Sequence, residues 1–173
     1  MENFTNSVLL PGNLPEIMAE DFNRLDKRYL KIILIRIAIF ALLLAGGFIS
    51  FLIVSNETLP ELILAAIISE IVVLIVYCII ISLLGFPKKG YLLRERDISY
   101  KSGLIFYKQI SVTFNRIQHV EISQGILAKL FGLSSVKIFT AGGNASDLSI
   151  PGLLSSDAEK LKAFISEKIS QYE

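Results

Sequence analysis

Two apolar stretches decide the fold of this chain: IILIRIAIFALLLAGGFISFLIV at residues 32–54 and LILAAIISEIVVLIVYCIIISLLGF at residues 62–86. Each is longer than the roughly 20 helical residues that cross the hydrocarbon core of a bilayer. The connection between them, SNETLPE at residues 55–61, is too short to hold a folded domain. The pair therefore predicts a transmembrane helical hairpin whose flanks, residues 1–31 and 87–173, lie on the same side of the membrane.

The distribution of positive charge predicts which side that is. The connecting loop holds Glu57 and Glu61 but neither lysine nor arginine, whereas both flanks are basic. Short segments rich in lysine and arginine stay in the cytoplasm, so we expect both termini to be cytoplasmic. The basic residues either set this topology alone or also bind anionic lipid. They are Arg24, Lys27, Arg28, Lys31, Lys88, Lys89, Arg94 and Arg96.

Two other interpretations of the apolar stretches are less consistent with the sequence. A cleaved signal peptide has a shorter apolar region near the N-terminus and no second span after it. A buried hairpin in a soluble protein would need two long helices with almost no polar face. The composition, 53% hydrophobic residues with a mean hydropathy of +0.59, favours a chain that is partly embedded in lipid.

Two charged residues lie within the predicted spans, Arg36 and Glu70. Glu70 lies about 12 Å from the outer face at 1.5 Å per residue, and Arg36 lies close enough to the inner face to reach the headgroups. A carboxylate at the depth of Glu70 costs on the order of 2.5–3.5 kcal/mol unless it faces protein or is protonated. Glu70 is either a proton or ion relay, or a hydrogen-bonded contact within the bundle or between subunits.

The cytoplasmic residues 87–173 have the pattern of a small α+β domain. Short apolar segments begin at Tyr91 and turn signals such as Ser102-Gly103 separate them, which predicts about seven strands, one of them at residues 104–107. Residues 126–131 are predicted to form a short helical turn that Gly132 ends in a left-handed conformation. The last segment repeats apolar residues at a helical period, and Ser156 with Glu159 predicts a capping box at its start. A helix with one apolar face can close the open end of a small curved sheet.

The segment before the hairpin is predicted to be partly helical. Pro15 suits the first turn of a helix, and acidic residues follow it near the positive end of the helix dipole. We therefore expect a juxtamembrane helix over residues 15–31.

Several short motifs follow one another in the C-terminal half. They are RIQHVE at residues 116–121, QGIL at 124–127, LFGL at 130–133, TAGG at 140–143 and IPGL at 150–153. Their order and spacing after a membrane hairpin resemble the bacterial pleckstrin-homology (PH) membrane-flanked domain family, of the YdbS-like kind. The resemblance covers about residues 90–169 and implies a seven-stranded PH-like β-barrel or sandwich capped by a C-terminal helix. The motif residues are Arg116, Gln118, Glu121, Gly125, Gly132, Gly142 and Pro151.

The motifs do not specify reaction chemistry. Arg116, Gln118 and Glu121 either form a patch for a ligand or partner, or brace a loop. The sequence shows no nucleophile–base–acid group, zinc spacing or dinucleotide fingerprint, and its single cysteine, Cys78, excludes an intramolecular disulfide. We therefore predict a protein that is not an enzyme, with no cofactor, no metal site and no nucleic-acid partner.

The leading hypothesis is a multi-pass protein of the bacterial cytoplasmic (inner) membrane with a binding or scaffold role. It would present its PH-like domain at the membrane surface to a protein partner or anionic lipid. Besides the lipid bilayer, the expected partner is a membrane protein, either a second copy of this chain or a larger protein with tandem PH-like domains. The alternative is an oligomeric membrane conduit or transport accessory subunit that uses Glu70.

Overall fold

The computed structural model describes residues 22–55, 60–141 and 147–171. The elements follow in the order β1 (Asn23–Arg24), α1 (Lys27–Ser55), α2 (Glu61–Gly85), β2 (Gly90–Leu93), β3 (Asp97–Ser102), β4 (Lys108–Thr113), β5 (Ile117–Ser123), α3 (Ile126–Leu130), β6 (Leu133–Thr140), β7 (Leu148–Leu154) and α4 (Ser155–Ser170). Two short 3-10 turns, Phe86–Lys88 and Phe114–Arg116, lie between α2 and β2 and between β4 and β5.

The two predicted apolar helices are confirmed as α1 and α2, which pack against each other. Both are long and apolar enough to span a membrane, and none of the most apolar stretch of either helix is buried. Leu42, Leu43 and Leu62, for example, are more than two-thirds exposed. The described residues therefore leave this apolar surface uncovered, whereas a soluble protein would bury it in its core. A surface of this length and hydropathy suits the interior of a bilayer.

The strands form two antiparallel sheets, with the orders β1-β2-β3-β4 and β5-β6-β7. The first sheet joins the two chain segments that flank the hairpin, because Asn23 lies opposite Tyr91 and Arg24 opposite Gly90. A Cβ atom at Gly90 would lie only 3.0 Å from the Asn23 carbonyl oxygen, so glycine permits this close approach. The segments that precede α1 and follow α2 are therefore neighbouring strands of one sheet.

The core lies between the two sheets and α4. Its largest fully buried side chains include Phe114, Ile98, Ile138 and Ile165. The apolar face predicted for the last helix is confirmed, since α4 buries Ala158, Leu161 and Ile165. The expected α+β class with a PH-like domain is confirmed by this arrangement.

The first helix is fixed directly to the β-domain. Leu25 and Ile32 are buried at its base, and the Asp26 N–H donates to the Gly152 carbonyl oxygen at 3.0 Å. Gly152 has a φ of +68°, and a Cβ atom there would lie 2.6 Å from Cγ of Tyr29. The Tyr29 ring thus occupies the space that a side chain at position 152 would need.

Three local predictions were wrong in detail. The expected juxtamembrane helix over residues 15–31 is interrupted, because Asn23 and Arg24 pair with β2 as β1; residues 27–31 are helical as the start of α1, and residues 15–21 lie outside the described ranges. Residues 104–107 form a loop rather than a strand, so six strands follow the hairpin and the seventh precedes it. Gly103, with a φ of +113°, starts that loop.

The predicted capping box at Ser156 and Glu159 was also wrong. The helix α4 begins at Ser155, its N-cap residue is Leu154, and no side chain caps it. Both the N–H and the Oγ of Ser155 donate to the carbonyl oxygen of Gly132 at 3.1 Å. The tertiary contact between Ser155 and Gly132, just beyond α3, therefore fixes the start of α4. The prediction that Gly132 ends α3 in a left-handed conformation is confirmed by its φ of +66°.

Replacing Gly152 with alanine should separate the domain from the base of α1. The left-handed backbone costs an alanine about 1–2 kcal/mol, and displacing the Tyr29 ring should add about 1–3 kcal/mol. Gly132→Ala is the matched control, because Gly132 has a similar φ and a Cβ atom there would meet nothing within 4 Å. Urea unfolding in detergent, followed by near-ultraviolet circular dichroism, should show the larger loss for Gly152→Ala. Equal losses would contradict the importance of the Tyr29 contact.

Candidate functional site

A pocket of about 420 Å³ lies where the chain leaves α2. It is bounded by the 3-10 turn after α2, by β1, and by the loop between β3 and β4. Four of its lining residues are cationic: Arg24, Lys88, Lys89 and Lys101. We call this the cationic pocket. Its lining among the described residues includes no carboxylate, so its chemistry suits an anion.

Strand pairing brings two of these cations together. Arg24 lies opposite Gly90, and Gly90 lies opposite Lys101 on the next strand. Residues directly opposite one another in neighbouring strands share a face of the sheet, and two strand spacings separate Arg24 from Lys101 by about 10 Å. Gly90 has no side chain, and the Asn23 carbonyl oxygen and the Phe22 side chain occupy the space that a Cβ atom would take there.

The other two cations come from the end of the membrane hairpin. The 3-10 turn contains Pro87 and Lys88, and the Lys89 N–H donates to the Phe86 carbonyl oxygen at 3.1 Å. This places Lys88 and Lys89 immediately after the second apolar helix. Partial burial lowers the pKa of Lys89 from its ordinary value. An anion in the pocket would offset that penalty by favouring the charged amine.

Aromatic rings form part of the pocket wall. The Lys101 ammonium lies 3.9 Å from the centroid of the Phe22 ring, and Tyr107 closes the side formed by the β3–β4 loop. The Lys89 ammonium lies 5.9 Å from the centroid of the Tyr29 ring. Rings at these distances attract cations and hold them without neutralising their charge. These rings therefore hold the lysine side chains at the wall of the pocket.

The structure separates the basic residues that the sequence grouped together. Arg24, Lys88 and Lys89 line the cationic pocket, and Lys101 joins them although the sequence did not single it out. Arg94 and Arg96 lie in the turn at the opposite end of β2 and β3, about 14 Å away by strand rise. Arg94 lies 3.9 Å from an Asp97 oxygen.

Three further basic residues, Lys27, Arg28 and Lys31, are exposed on the first turns of α1. Arg28 lies 3.9 Å from an Asp26 oxygen. They do not line the pocket, and their place at the start of α1 agrees with the role in topology that the sequence predicts for them.

The two charged residues of the spans are both exposed on the hairpin surface. Arg36 lines an apolar groove of about 400 Å³ between α1 and α2, with Phe40 and Tyr77 among its neighbours. Glu70 lies outside that groove, and its neighbour Ser69 donates to the Ala66 carbonyl oxygen at 2.8 Å. The structure thus does not bring Glu70 and Arg36 to one site.

The family motif residues occupy several different places. Arg116 lines a polar cleft of about 280 Å³, while Glu121 lies at the surface with an oxygen 3.6 Å from Nε2 of His119. The remaining motif residues are Gln118, exposed on β5; Gly125, which precedes α3; Gly132, which ends α3; Pro151, within β7; and Gly142, which lies outside the described residues.

Asp147 gives the polar cleft a structural role. Its carboxylate accepts from the Thr140 N–H at 2.9 Å and from the Thr140 hydroxyl. These hydrogen bonds, with a smaller contribution from the Arg116 charge, lower the pKa of Asp147. The carboxylate therefore ties the start of β7 to the end of β6. Over the described ranges no three histidine, cysteine or acidic side chains lie together.

Comparison with known proteins gives a family match and two relatives. The model of the family described as "Bacterial PH domain" matches residues 29–169. The chain is 40% identical over 76 residues to UPF0699 transmembrane protein YdbS of Bacillus subtilis (strain 168), which covers 44% of the chain and 46% of the relative. It is 25% identical over 100 residues to UPF0699 transmembrane protein YdbT of the same organism, 57% of the chain and 20% of the relative.

The alignments thus span less than half of either relative's own length. No solved structure matches the chain significantly. The relatives are named transmembrane proteins, which agrees with the two apolar helices.

The Asp147 contact predicts a pH-dependent stability. Its pKa is lower in the folded chain than its ordinary value of 3.8, so its charge stabilises the fold at neutral pH and this contribution is lost as pH falls through the folded value. Asp147→Asn should therefore lower the thermal unfolding midpoint at pH 7, and the difference from the unaltered chain should shrink as the pH falls below the ordinary value of 3.8 and the carboxylate becomes protonated. Glu167→Gln, on the exposed face of α4, is the control and should show no such difference. A difference independent of pH would contradict this role.

Proposed function

This chain belongs to the bacterial PH domain family, and from that premise we propose that it is a membrane-anchored, non-enzymatic binding module. Its PH-like domain would lie at the cytoplasmic face of the bacterial inner membrane and bind the phosphate of an anionic lipid. The observation that carries this proposal is the cationic pocket at the end of α2.

The position of the pocket supports lipid as the ligand. Lys88 and Lys89 follow the last residues of a helix that is long enough to span the bilayer, so they lie at headgroup depth. A lysine or arginine near an anionic leaflet contributes about 1 kcal/mol of attraction. Arg24 and Lys101, fixed by strand pairing, face the same space. Four cations in a preformed pocket can therefore hold one phosphate group more firmly than a mobile basic segment can.

The same geometry supports a scaffold role. The domain is fixed to its anchor by the β1–β2 pairing and by the Tyr29–Gly152 contact. A domain held at the membrane surface meets other membrane-bound proteins at a raised effective concentration. A second copy of this chain, or a larger protein with tandem PH-like domains, is the partner that this arrangement favours.

Removing positive charge from the pocket should weaken lipid binding. Lys88→Gln with Lys89→Gln should remove about 2 kcal/mol at about 1 kcal/mol per cation, which is roughly a 30-fold weaker affinity. The readout is titration of the detergent-solubilised chain with phosphatidylglycerol, counting bound lipids by native mass spectrometry. The matched control, Arg94→Gln with Arg96→Gln, removes the same charge at the far end of the sheet and should leave affinity nearly unchanged. Equal weakening in both variants would contradict a specific pocket.

The exposure of Glu70 favours a second candidate function, an oligomeric conduit or transport accessory subunit. A carboxylate on the lipid-facing surface costs on the order of 2.5–3.5 kcal/mol, so a neighbouring membrane helix that covers it would be stabilising. If several copies place Glu70 along a polar path, proton flux into vesicles should exceed that of empty vesicles and should be lost in Glu70→Gln. Flux that is the same in the unaltered chain and in Glu70→Gln would contradict the conduit. Arg36→Gln, outside that path, is the control.

A further inference from the structure

We propose that the β-domain inserts two apolar contact points into the cytoplasmic leaflet, one beside each membrane helix. The first is the loop at residues 104–107 between β3 and β4, and the second is the short helix α3. This inference rests on the membrane anchoring in the proposed function but not on the lipid-binding pocket.

The β3–β4 loop presents consecutive apolar side chains to its surroundings. Ile105, Phe106 and Tyr107 are 61%, 86% and 68% exposed. The loop is tightly folded, because a Cβ atom at Gly103 would lie 1.8 Å from the Phe106 carbonyl oxygen. The Tyr107 hydroxyl donates to Oε1 of Gln109 at 2.5 Å, which anchors the loop to the start of β4. The apolar tip is therefore held outward by a compact turn.

This loop lies at the point where α2 leaves the membrane. Leu104 packs on Gly85, the last residue of α2, since a Cβ atom at Gly85 would lie 3.5 Å from the Leu104 Cβ atom. The neighbouring Leu84 is 57% exposed on the helix surface. The apolar tip of the loop thus continues the apolar surface of the hairpin. That continuity points to a lipid leaflet rather than to a protein as its occupant.

The helix α3 supplies the second contact point beside the other membrane helix. Ile126 and Leu130 are 86% and 76% exposed and, four residues apart, share one face of α3. The element α3 contacts α1. Its start and end are fixed, because the Lys129 N–H donates to the Gly125 carbonyl oxygen at 2.9 Å and Gly132 terminates the helix. Lys129, exposed between the two apolar residues, can reach the headgroups.

Contact on both sides of the hairpin would fix the orientation of the domain. With one contact the hairpin and the domain fixed to it could tilt together in the bilayer, whereas contacts beside both helices leave a single face of the domain toward the lipid. The turn that contains Glu95 lies at the opposite end of β3 from the β3–β4 loop. That turn should remain in water.

The test uses the full chain with Cys78 replaced by alanine and one cysteine introduced at Phe106, Leu130 or Glu95. Each is labelled with an environment-sensitive fluorophore in nanodiscs of phosphatidylcholine, with nitroxide-labelled lipid as the quencher. Probes at positions 106 and 130 should be quenched at least about twofold more than the probe at position 95, because an apolar group that inserts lies about 5–10 Å into the headgroup–acyl boundary. Ile105→Cys repeats the measurement with Phe106 retained.

Insertion would be overturned if the probe at position 130, or the probes at both 105 and 106, were quenched no more than the probe at 95. Since phosphatidylcholine carries no net charge, loss of the anionic-lipid site would not change this result. Conversely, lack of insertion would not change the affinity measured in the phosphatidylglycerol titration. The two proposals therefore fail independently.

Discussion

The pairing of β1 with β2 is the constraint on which the rest of the structure depends. It hydrogen-bonds the segment before the hairpin to the segment after it, so that α1 must begin, and α2 must end, at the same sheet. Glycine at position 90 permits the close approach of the two strands. Tyr29 over Gly152 adds a second fixed point at the base of α1. The hairpin and the β-domain are therefore joined by packed contacts and not only by a flexible linker.

That junction also forms the surface that we propose faces the membrane. The cationic pocket lies between the end of α2, β1 and β3, and the most exposed apolar loop of the domain lies beside it. Positive charge next to apolar side chains is the combination that an anionic leaflet favours, because the charges meet phosphate while the apolar groups enter the acyl boundary. The proposed lipid-facing side of the domain and its attachment to the hairpin are thus one region of the fold.

The local sequence pattern predicted the elements that interactions between residues near in sequence determine. Hydropathy and length predicted α1 and α2, helical periodicity predicted α4, and Gly132 predicted the end of α3. The pattern failed where a distant partner decides the structure: Asn23 and Arg24 are a strand only because β2 lies beside them, and Ser155 starts α4 through the Gly132 carbonyl. Lys101 joins the pocket through the same kind of pairing, with Gly90. Placing Lys101 beside Arg24 from the sequence would have required the register between β1 and β2. The α1–α2 hairpin separates these strands, so the local sequence does not encode that register.

In the topology that we propose, an embedded hairpin holds both of its flanks on the cytoplasmic side. Its most direct test is labelling of single cysteines in intact bacterial cells with a membrane-impermeant maleimide, in the Cys78→Ala background. Cysteine at Glu61, at the start of α2, should be labelled in intact cells. Cysteine at Glu167, on the exposed face of α4, should be labelled only after the cells are lysed. Labelling of position 167 in intact cells, or of position 61 only after lysis, would rule out this topology.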